Sequence, residues 1–394
     1  MYNTFFIILL SITCLAGYSQ TLDSLVMSVE RNNPNIRAQE NWLKAVKLKS
    51  RIGIYPDNPE VVYQYLWGNS KEYGDQKEFE VIQSFRLPMY YTQKSAMQNL
   101  RYDQEEMLAA STRNKILHQA RVEYFSLAWL VRRDSLLSER LQDSEKLVSL
   151  LESGFEKNEI PQTVLDKGKI FYLNTRNEWH RVRAEMEIHK ENIKQLNGGE
   201  LPGISSYEYP PDWMLTDLDS LIAYMESRNP EILSARLLMG ISEKQVQFEK
   251  ASSYPIFETG YKSETILNQK LKGIHAGISI PLWENKNRVS EARLENIWTR
   301  SYFDKVKSEE IARLKNTYLH ALTLYENYNR MKEITAVPGM MNSSLQLLQS
   351  GQISFLEYLT EVQFIYESLE NFLYNEREYY SALSEIRTFF ISGY

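Results

Sequence analysis

The sequence predicts a mainly α-helical protein with a small β segment, built from two similar halves. Helical stretches far longer than those of a globular core support the first part of this prediction. Two pairs of short stretches in which apolar and polar residues alternate support the second. The halves are visible in an internal repeat: LDSLVMSVERNNPNI begins at Leu22 and LDSLIAYMESRNPEI begins at Leu218, with eight of fifteen positions identical.

The repeat extends along the whole chain, with a shift of 193–199 residues. After each Asn-Pro come an amphipathic stretch, a Tyr-Pro pair, two alternating stretches that end in Leu87-Pro88 or Ile280-Pro281, and a long helix with a break near Gly154 or Gly351. The predicted divisions are a signal peptide at 1–19; a first repeat at 20–203, with a β-hairpin at about 60–87 and a helical hairpin at about 89–197; and a second repeat at 204–394, with a β-hairpin at about 256–281 and a helical hairpin at about 285–392.

The helical stretches are long enough to need partners along their length. Between Gln93 and Ser153 the chain has neither proline nor glycine, which is roughly 90 Å if the helix is continuous. Apolar residues recur with a period near 3.5, which is typical of coiled-coil packing. One seam runs through Leu130, Leu137, Leu141, Val148 and Leu151, and the other through Leu359, Val362, Tyr366, Leu369, Leu373, Tyr380, Leu383 and Phe390.

The alternating stretches fit two kinds of sheet. VVYQYLW from Val61, EFEVIQSFRL from Glu78 and LKGIHAGISI from Leu271 each have one apolar face, and IFETGYKSE from Ile256 is weaker. Alternation suits a membrane β-barrel and a half-exposed soluble sheet equally. Four strands are too few to close a barrel, and open edges are not permitted in lipid. If the strands enter a membrane, several chains must share one barrel, and three chains would give twelve strands.

Composition excludes several classes of protein. The net charge is −6 without a basic block, which argues against nucleic-acid binding. Five histidines show no metal-ligand spacing, and there is no phosphate loop, nucleophile elbow or HExxH. We therefore predict no enzymatic activity, no metal and no cofactor.

The first residues predict export. FFIILLSITCLAG is an apolar run too short to span a bilayer, and Ser19 is a small residue suited to cleavage, so 1–19 is interpreted as a cleaved signal peptide. The alternatives are an N-terminal membrane anchor and a lipoprotein acylated at Cys14, the only cysteine.

One segment resembles a known family. AVPGMMNSSLQLLQSGQISFLEYLTEVQ is similar to the pattern of the TolC-like outer membrane factor family, in which Leu-Pro is followed, about a dozen residues later, by Gly-x-Ile-Ser-aromatic-Leu-Glu-x-Leu. The matching residues are Pro338, Gly351, Ser354, Phe355, Leu356, Glu357 and Leu359. In the first half, Lys157 stands where the family has a glycine.

The resemblance implies a fold, a location and partners. The fold is a long α-helical barrel with four membrane strands per chain, and a trimer shares a twelve-stranded barrel in the outer membrane of a Gram-negative cell with a periplasmic extension. The function implied is a passive exit duct of a tripartite efflux or type I secretion system. The duct works with a periplasmic adaptor and an inner-membrane pump. The cargo is a metal cation if the chain belongs to the cation-efflux branch, or else a drug or a protein. The alternative function is a periplasmic coiled-coil scaffold or adaptor without a channel.

The resemblance also points to candidate site residues. Glu357 matches an acidic residue of the periplasmic entrance, and in a trimer it would form a ring that favours cations; the alternative is a solvated carboxylate on a helix. Asp166 is its weaker counterpart, because Thr163 aligns with Glu357. Adaptor-contacting hairpin tips are expected at Ser153, Gly154, Phe155, Glu156, Ser350, Gly351 and Gln352. Pro88 and Pro281 are interpreted as structural prolines where a strand passes into a helix.

Overall fold

The computed structural model describes residues 22–69, 72, 74–204, 206–335 and 340–390. The predicted signal peptide, with Cys14, and Pro338 lie outside this part of the chain. Within the described residues the chain forms nine helices and four strands. They are α1 (Leu22–Asn32), α2 (Pro34–Lys49), β1 (Glu60–Leu66), β2 (Gln76–Phe85), α3 (Pro88–Glu156), α4 (Gln162–Leu196), α5 (Leu218–Arg228), α6 (Pro230–Ser252), β3 (Ile256–Ile266), β4 (Gln269–Ser279), α7 (Arg288–Thr335), α8 (Met340–Gln349) and α9 (Phe355–Thr388).

The element order is the same in both halves: two helices, two strands, then long helices. The predicted class, mainly α with four strands per chain, is confirmed. The interpretation of this order as a tandem duplication stays a prediction. No helix of the described residues combines the length and the apolar character needed to cross a membrane.

The two Asn-Pro pairs start helices in the same way. Asn33 is the N-cap of α2, and its side-chain oxygen accepts hydrogen bonds from the backbone N–H groups of Asn35 and Ile36 at 2.9 and 3.2 Å. Asn229 is the N-cap of α6 and accepts from Ile232 N at 2.8 Å. Proline follows at the first helical position, where no backbone N–H is needed. Each Asn-Pro pair therefore marks the start of a helix.

The four strands form one antiparallel sheet in the order β1-β2-β3-β4. Strands β3 and β4 are joined by Leu267 and Asn268, both with positive φ (47° and 64°). Two such residues match the twist of a hairpin, although leucine adopts this conformation rarely. The stretch from Ile256, whose alternation in the sequence is weaker, also forms a full strand, of eleven residues.

The described residues fall into two compact units. One comprises those among 1–31, 120–212 and 337–377, and the other those among 32–119, 213–336 and 378–394. The first contains the turns after α3 and α8, and the second contains the sheet. Each has its own buried core.

The predicted seams differ from the structure in detail. Leu147 is fully buried where the seam placed Val148, and Tyr379 is buried where it placed Tyr380. A seam fixed by spacing alone drifts by one residue, because a straight helix has 3.6 residues per turn and the assumed period is 3.5.

Candidate functional site

The first hairpin tip lies after α3 and turns at Asn158, four residues beyond the glycine that the sequence singled out. Ser153, Gly154, Phe155 and Glu156 form the last turn of α3. Beyond it, Asn158 has φ 60°, its N–H donates to Phe155 O at 2.9 Å, and Glu159 N–H donates to Gly154 O at 2.9 Å. These paired bonds form a Schellman motif, which satisfies carbonyl groups at the helix end.

The second tip is built identically. Gly351 has φ 73°, its N–H donates to Leu348 O at 3.0 Å, and Gln352 N–H donates to Leu347 O at 2.9 Å. Asn158 therefore occupies the place of Gly351, one residue beyond Lys157, which the sequence comparison puts at the family's glycine. Asparagine tolerates the left-handed conformation better than most residues, so the first tip needs no glycine.

Glu357 has a local structural role that the entrance hypothesis did not foresee. Ser354 N–H donates to Glu357 Oε2 at 2.7 Å, and Glu357 N–H donates to Ser354 Oγ at 3.3 Å. This reciprocal pair is a capping box that starts α9. Hydrogen bonds from the Ser354 backbone and hydroxyl lower the pKa of the exposed Glu357 carboxyl. The Ser-x-x-Glu spacing was the sequence signal for it.

Asp166 is exposed in the first turns of α4, where it accepts a hydrogen bond from Gln162 Nε2 at 2.7 Å. The N-cap of α4 is Pro161, which offers no side-chain cap. Alignment of the two tips by their caps places Val164, rather than Thr163, opposite Glu357. The first hairpin therefore has no acidic residue at that place, and Asp166 lies two residues further along the helix.

A common core joins the two tips. The buried side chains come from α3, α4 and α9, and α8 adds partly buried ones. They are Leu147, Leu151, Leu165, Tyr358, Val362 and Tyr366. Gly168 permits close approach of α4 to α3, since a Cβ there would lie 2.4 Å from Leu151 Cδ1.

Arg140 lies at the edge of this core. Its guanidinium carbon is 5.1 Å from the Phe171 ring centroid and 4.6 Å from that of Tyr366. A cavity of about 10 Å³ adjoins it, and the Tyr366 hydroxyl is buried without a hydrogen-bond partner among the described residues. Burial raises the pKa of Tyr358 to about 12 and that of Tyr366 further, so both phenols are neutral.

A second polar contact links three helices of the same unit. Arg133 Nη2 is 2.6 Å from Glu178 Oε1 on α4, and Arg133 Nε is 2.9 Å from Glu370 Oε1 on α9. The preceding residue, Arg132, pairs with the buried Glu376 on α9. A planar guanidinium can bridge two carboxylates, which a lysine cannot do as well. Sequence reasoning missed these residues because they are far apart along the chain.

One face of the sheet is apolar and exposed. The registers place Val61, Val81, Tyr261 and Ile274 in one row across the four strands. On this face the next row towards the hairpin turns adds Tyr63 and Phe79, and the row at the other end of the sheet adds Phe85, Phe257 and Ile278. Val61, Tyr63 and Ile274 are 64%, 65% and 89% exposed. Gln83 and Thr259 interrupt the band, and lysines follow it towards the hairpin turns.

The opposite face is polar and mainly acidic. Lys262 pairs with Glu78, and Gln76 Nε2 donates to Glu264 Oε1 at 2.5 Å. His275 lies between two carboxylates, with 3.6 Å from Nδ1 to Glu80 and 3.9 Å from Nε2 to Glu258. Among the described residues, no group of three or more His, Cys, Asp or Glu side chains has the geometry of a metal site.

Exposed aromatic residues flank both ends of the sheet. Tyr55 precedes β1 and Trp283 follows β4, with 73% and 80% of their surfaces exposed. Trp67 follows β1 at the other end and is 81% exposed. Such girdles mark the two interfaces of membrane barrels.

The two predicted structural prolines differ. Pro88 is the first residue of α3, three residues after the end of β2. Pro281 follows β4 but does not open a helix, because α7 begins only at Arg288. Asn285 Nδ2 donates to Ser252 O at 2.9 Å and fixes the intervening segment on the end of α6. Pro281 therefore lies between the strand and the helix without starting the helix itself, and its role in the passage from sheet to helix stays a prediction.

Comparison with known proteins gives structural matches only. No protein-family model matches the chain, and no curated protein matches it. Among solved structures, CusC, studied for its folding and transmembrane channel formation, has a TM-score of 0.79 at 13% identity, covering 94% of this chain and 92% of its own. The CmeC outer membrane channel of Campylobacter jejuni has 0.77 at 14%, covering 95% and 87%. The outer membrane protein VceC of Vibrio cholerae has 0.77 at 14%, covering 93% and 95%. Identities this low establish the fold alone, and the chain has the fold of these outer membrane proteins.

Proposed function

We propose that three copies of this chain form an outer-membrane channel that serves as the passive exit duct of a tripartite efflux or type I secretion system. The sheet carries this proposal: it has four strands, one apolar exposed face, one polar face and two edges that pair with no other described strand. Each feature is explained if the sheets of several copies close into one barrel.

The edges set the number of copies. Open strand edges leave unsatisfied N–H and C=O groups, which are costly in hydrocarbon. Four strands cannot close, since the smallest known membrane barrels have about eight. Two copies would give eight strands and a lumen filled by side chains, whereas three give twelve and leave a channel. The similar chains that match in fold include outer membrane channels, which supports the larger assembly.

The faces set the orientation of the sheet. The apolar face, with its flanking aromatic residues, suits lipid, and the face with Glu78, Glu80 and Lys262 suits water. A pore lined mainly by carboxylates favours cations over anions.

The helical parts supply the periplasmic extension. The two Schellman turns, at Asn158 and Gly351, are exposed and suit contact with the hairpins of an adaptor, while an inner-membrane pump supplies the energy. Glu357 and Asp166 stand at the start of the helices that leave these turns, where they would line the entrance. The N-terminal segment at 1–19 would direct export and be removed. Pump and adaptor select the cargo.

The scaffold alternative is less consistent with the sheet. A soluble sheet would cover its apolar face with helices, yet Ile274 and Tyr63 remain exposed.

Cell fractionation and gel electrophoresis test the proposal. We expect the protein in the outer-membrane fraction, migrating as a trimer without heating and as a monomer after boiling. Recovery of a monomer from the soluble periplasm would refute the proposal and favour the scaffold.

A further inference from the structure

The apolar face of the sheet becomes basic towards the hairpin turns. Its last row carries Lys77 on β2, Thr265 on β3 and Lys270 on β4. The row before it ends in Lys272 on β4. All three lysines are exposed, and together they form the lysine cluster.

The three lysines lie close enough to act on one group. Lys270 and Lys272 are two residues apart on the same face of β4, which is about 7 Å. Lys77 and Lys270 lie in one row two strands apart, which is about 10 Å. Because the lysine side chain is a flexible four-carbon stem, the three charges can converge on a single anionic group.

The lysine cluster has no acidic partner in the described chain. The strand positions of the apolar face include no Asp or Glu, and none of the three lysines forms an ion pair with a described residue. Lys77 Nζ lies 5.5 Å from the centroid of the Tyr65 ring. The carboxylate of Asp75, two residues before Lys77, accepts hydrogen bonds from the Tyr65 hydroxyl and from Gly68 N–H. By contrast, the lysine of the polar face pairs with Glu78.

The cluster stands at one edge of the apolar band. Phe257, at the other edge, and Thr265, in the row of the cluster, are eight residues apart on β3. This separation is about 27 Å along the strand and about 20 Å across a membrane if the strand is tilted by about 40°. Lysine on a lipid-facing strand is costly at the midplane and is tolerated near the interface. The cluster is therefore at the level of the lipid headgroups, together with the exposed Trp67.

The chain connections identify the leaflet. Helix α3 follows β2 and helix α7 follows β4, so both long helices leave the sheet at the end opposite the hairpin turns. In the proposed channel these helices are periplasmic, and the cluster therefore meets the outer leaflet. At the periplasmic end the same face finishes in Phe85, Phe257 and Ile278, without a lysine. The basic character is confined to one leaflet.

We propose that the lysine cluster binds the phosphate groups of a lipid headgroup in the outer leaflet of the outer membrane. The inference rests on the proposed function, because the apolar face meets lipid only if the sheet is inserted in a membrane. Three unpaired cations on a face without acids are complementary to a headgroup of net negative charge. Each lysine near an anionic lipid surface strengthens binding by about fivefold. The Thr265 hydroxyl adds a hydrogen-bond donor between Lys77 and Lys270.

Native mass spectrometry of the complete protein in detergent tests this site. The probe is bisphosphorylated lipid A, and fully dephosphorylated lipid A is the comparison. We expect the natural protein to bind the phosphorylated form at least tenfold more tightly, and Lys77→Gln combined with Lys270→Gln and Lys272→Gln to remove this preference. Arginine at the same three positions should keep the preference, because it keeps the charge.

The matched control combines Lys305→Gln, Lys315→Gln and Lys332→Gln. These lysines are exposed on α7, and their replacement removes the same charge. We expect this variant to bind phosphorylated lipid A as the natural protein does. Equal weakening by both triple variants would reveal an effect of net charge and overturn the inference. Displacement of lipid A by inorganic phosphate at matched ionic strength would also overturn it, because the site would then be one for free phosphate.

The oligomeric state, visible in the same spectra, distinguishes failure of this inference from failure of the proposed function. A trimer that binds both forms of lipid A equally would overturn the lipid site and leave the channel intact. Absence of a trimer, with the natural protein missing from the outer-membrane fraction, would overturn both.

Discussion

Replacement of Gly351 by alanine tests whether the backbone conformation of the second tip, and nothing else, requires glycine there. The residue has φ 73°, and a Cβ at this position would meet no atom within 4 Å. The whole cost of the substitution is therefore conformational. An L-residue in the left-handed conformation costs about 1–2 kcal/mol. Part of this cost is offset because alanine makes the unfolded chain stiffer than glycine does. We expect a net loss of about 1 kcal/mol, or about fivefold in the opening equilibrium of the tip.

Hydrogen exchange of the peptide that contains Gly351 and Gln352 measures this opening. The backbone N–H groups of both residues form the Schellman bonds, so their exchange should accelerate about fivefold in Gly351→Ala. Gly351→Asn should cost less, because Asn158 holds the same conformation in the first tip. Gly203→Ala is the matched control, since Gly203 also has open space around its Cβ position but no positive φ. Equal effects of Gly351→Ala and Gly203→Ala would refute the reasoning.

Three further changes test other parts of the structure. Gly260→Ala should prevent folding of the sheet or weaken it by about 1–3 kcal/mol, because its Cβ would lie 2.3 Å from Val81 O. Gly273→Ala, on the next strand, should be neutral, because the space around its Cβ position is open. Heat-sensitive migration on a gel distinguishes the two variants. Arg133→Met should lower stability by about 2 kcal/mol, as measured by chemical denaturation, because it removes the partner of Glu370 and leaves Glu178 only the longer contact with Arg181 at 3.8 Å. A cost near zero would show that solvent screens the bridge. Glu357→Ala should speed exchange at the start of α9 while Glu357→Gln keeps the capping box. Since the folded pKa of Glu357 is lowered, its stabilisation should be present above the unfolded pKa and be lost as pH falls through the folded pKa. Exchange at the start of α9 that shows no acid dependence would contradict this.

Much of the fold could be predicted because local signals and tertiary structure agree. Asn-Pro starts α2 and α6 through the side chain and ring of the two residues themselves. The long stretch after Pro88 forms one helix because nothing in it interrupts the helix. Alternation marks β1 and β2, since each strand has one face in a different environment from the other.

The misplaced features depend on information that spacing does not contain. Asn158 takes the role of a glycine because asparagine tolerates positive φ. A sequence comparison that searches for glycines does not detect this turn residue. Pro281 is not a helix start because Asn285 anchors the next residues on α6, a contact between distant parts of the chain. Arg133 finds its two carboxylates on α4 and α9 for the same reason.

Glu357 shows how one residue type admits two interpretations. Its spacing from Gly351 suggests a pore-lining acid, and its spacing from Ser354 predicts a capping box. The structure shows the second contact directly. Both roles are compatible, because the capped carboxyl remains exposed. Glu357→Gln separates them: it keeps the cap, so a change in ion selectivity with unchanged exchange at α9 would reveal a role in the entrance.

The most direct test of the channel is substituted-cysteine block of its ionic current in a planar lipid bilayer. In the Cys14→Ser background, a bulky charged thiol reagent should reduce the conductance of Glu80→Cys, on the polar face, by more than half. It should leave the conductance of Tyr261→Cys, on the apolar face of the adjacent strand, unchanged. Absence of any conductance, or equal block of both variants, would contradict the account of a shared barrel whose polar face lines the pore.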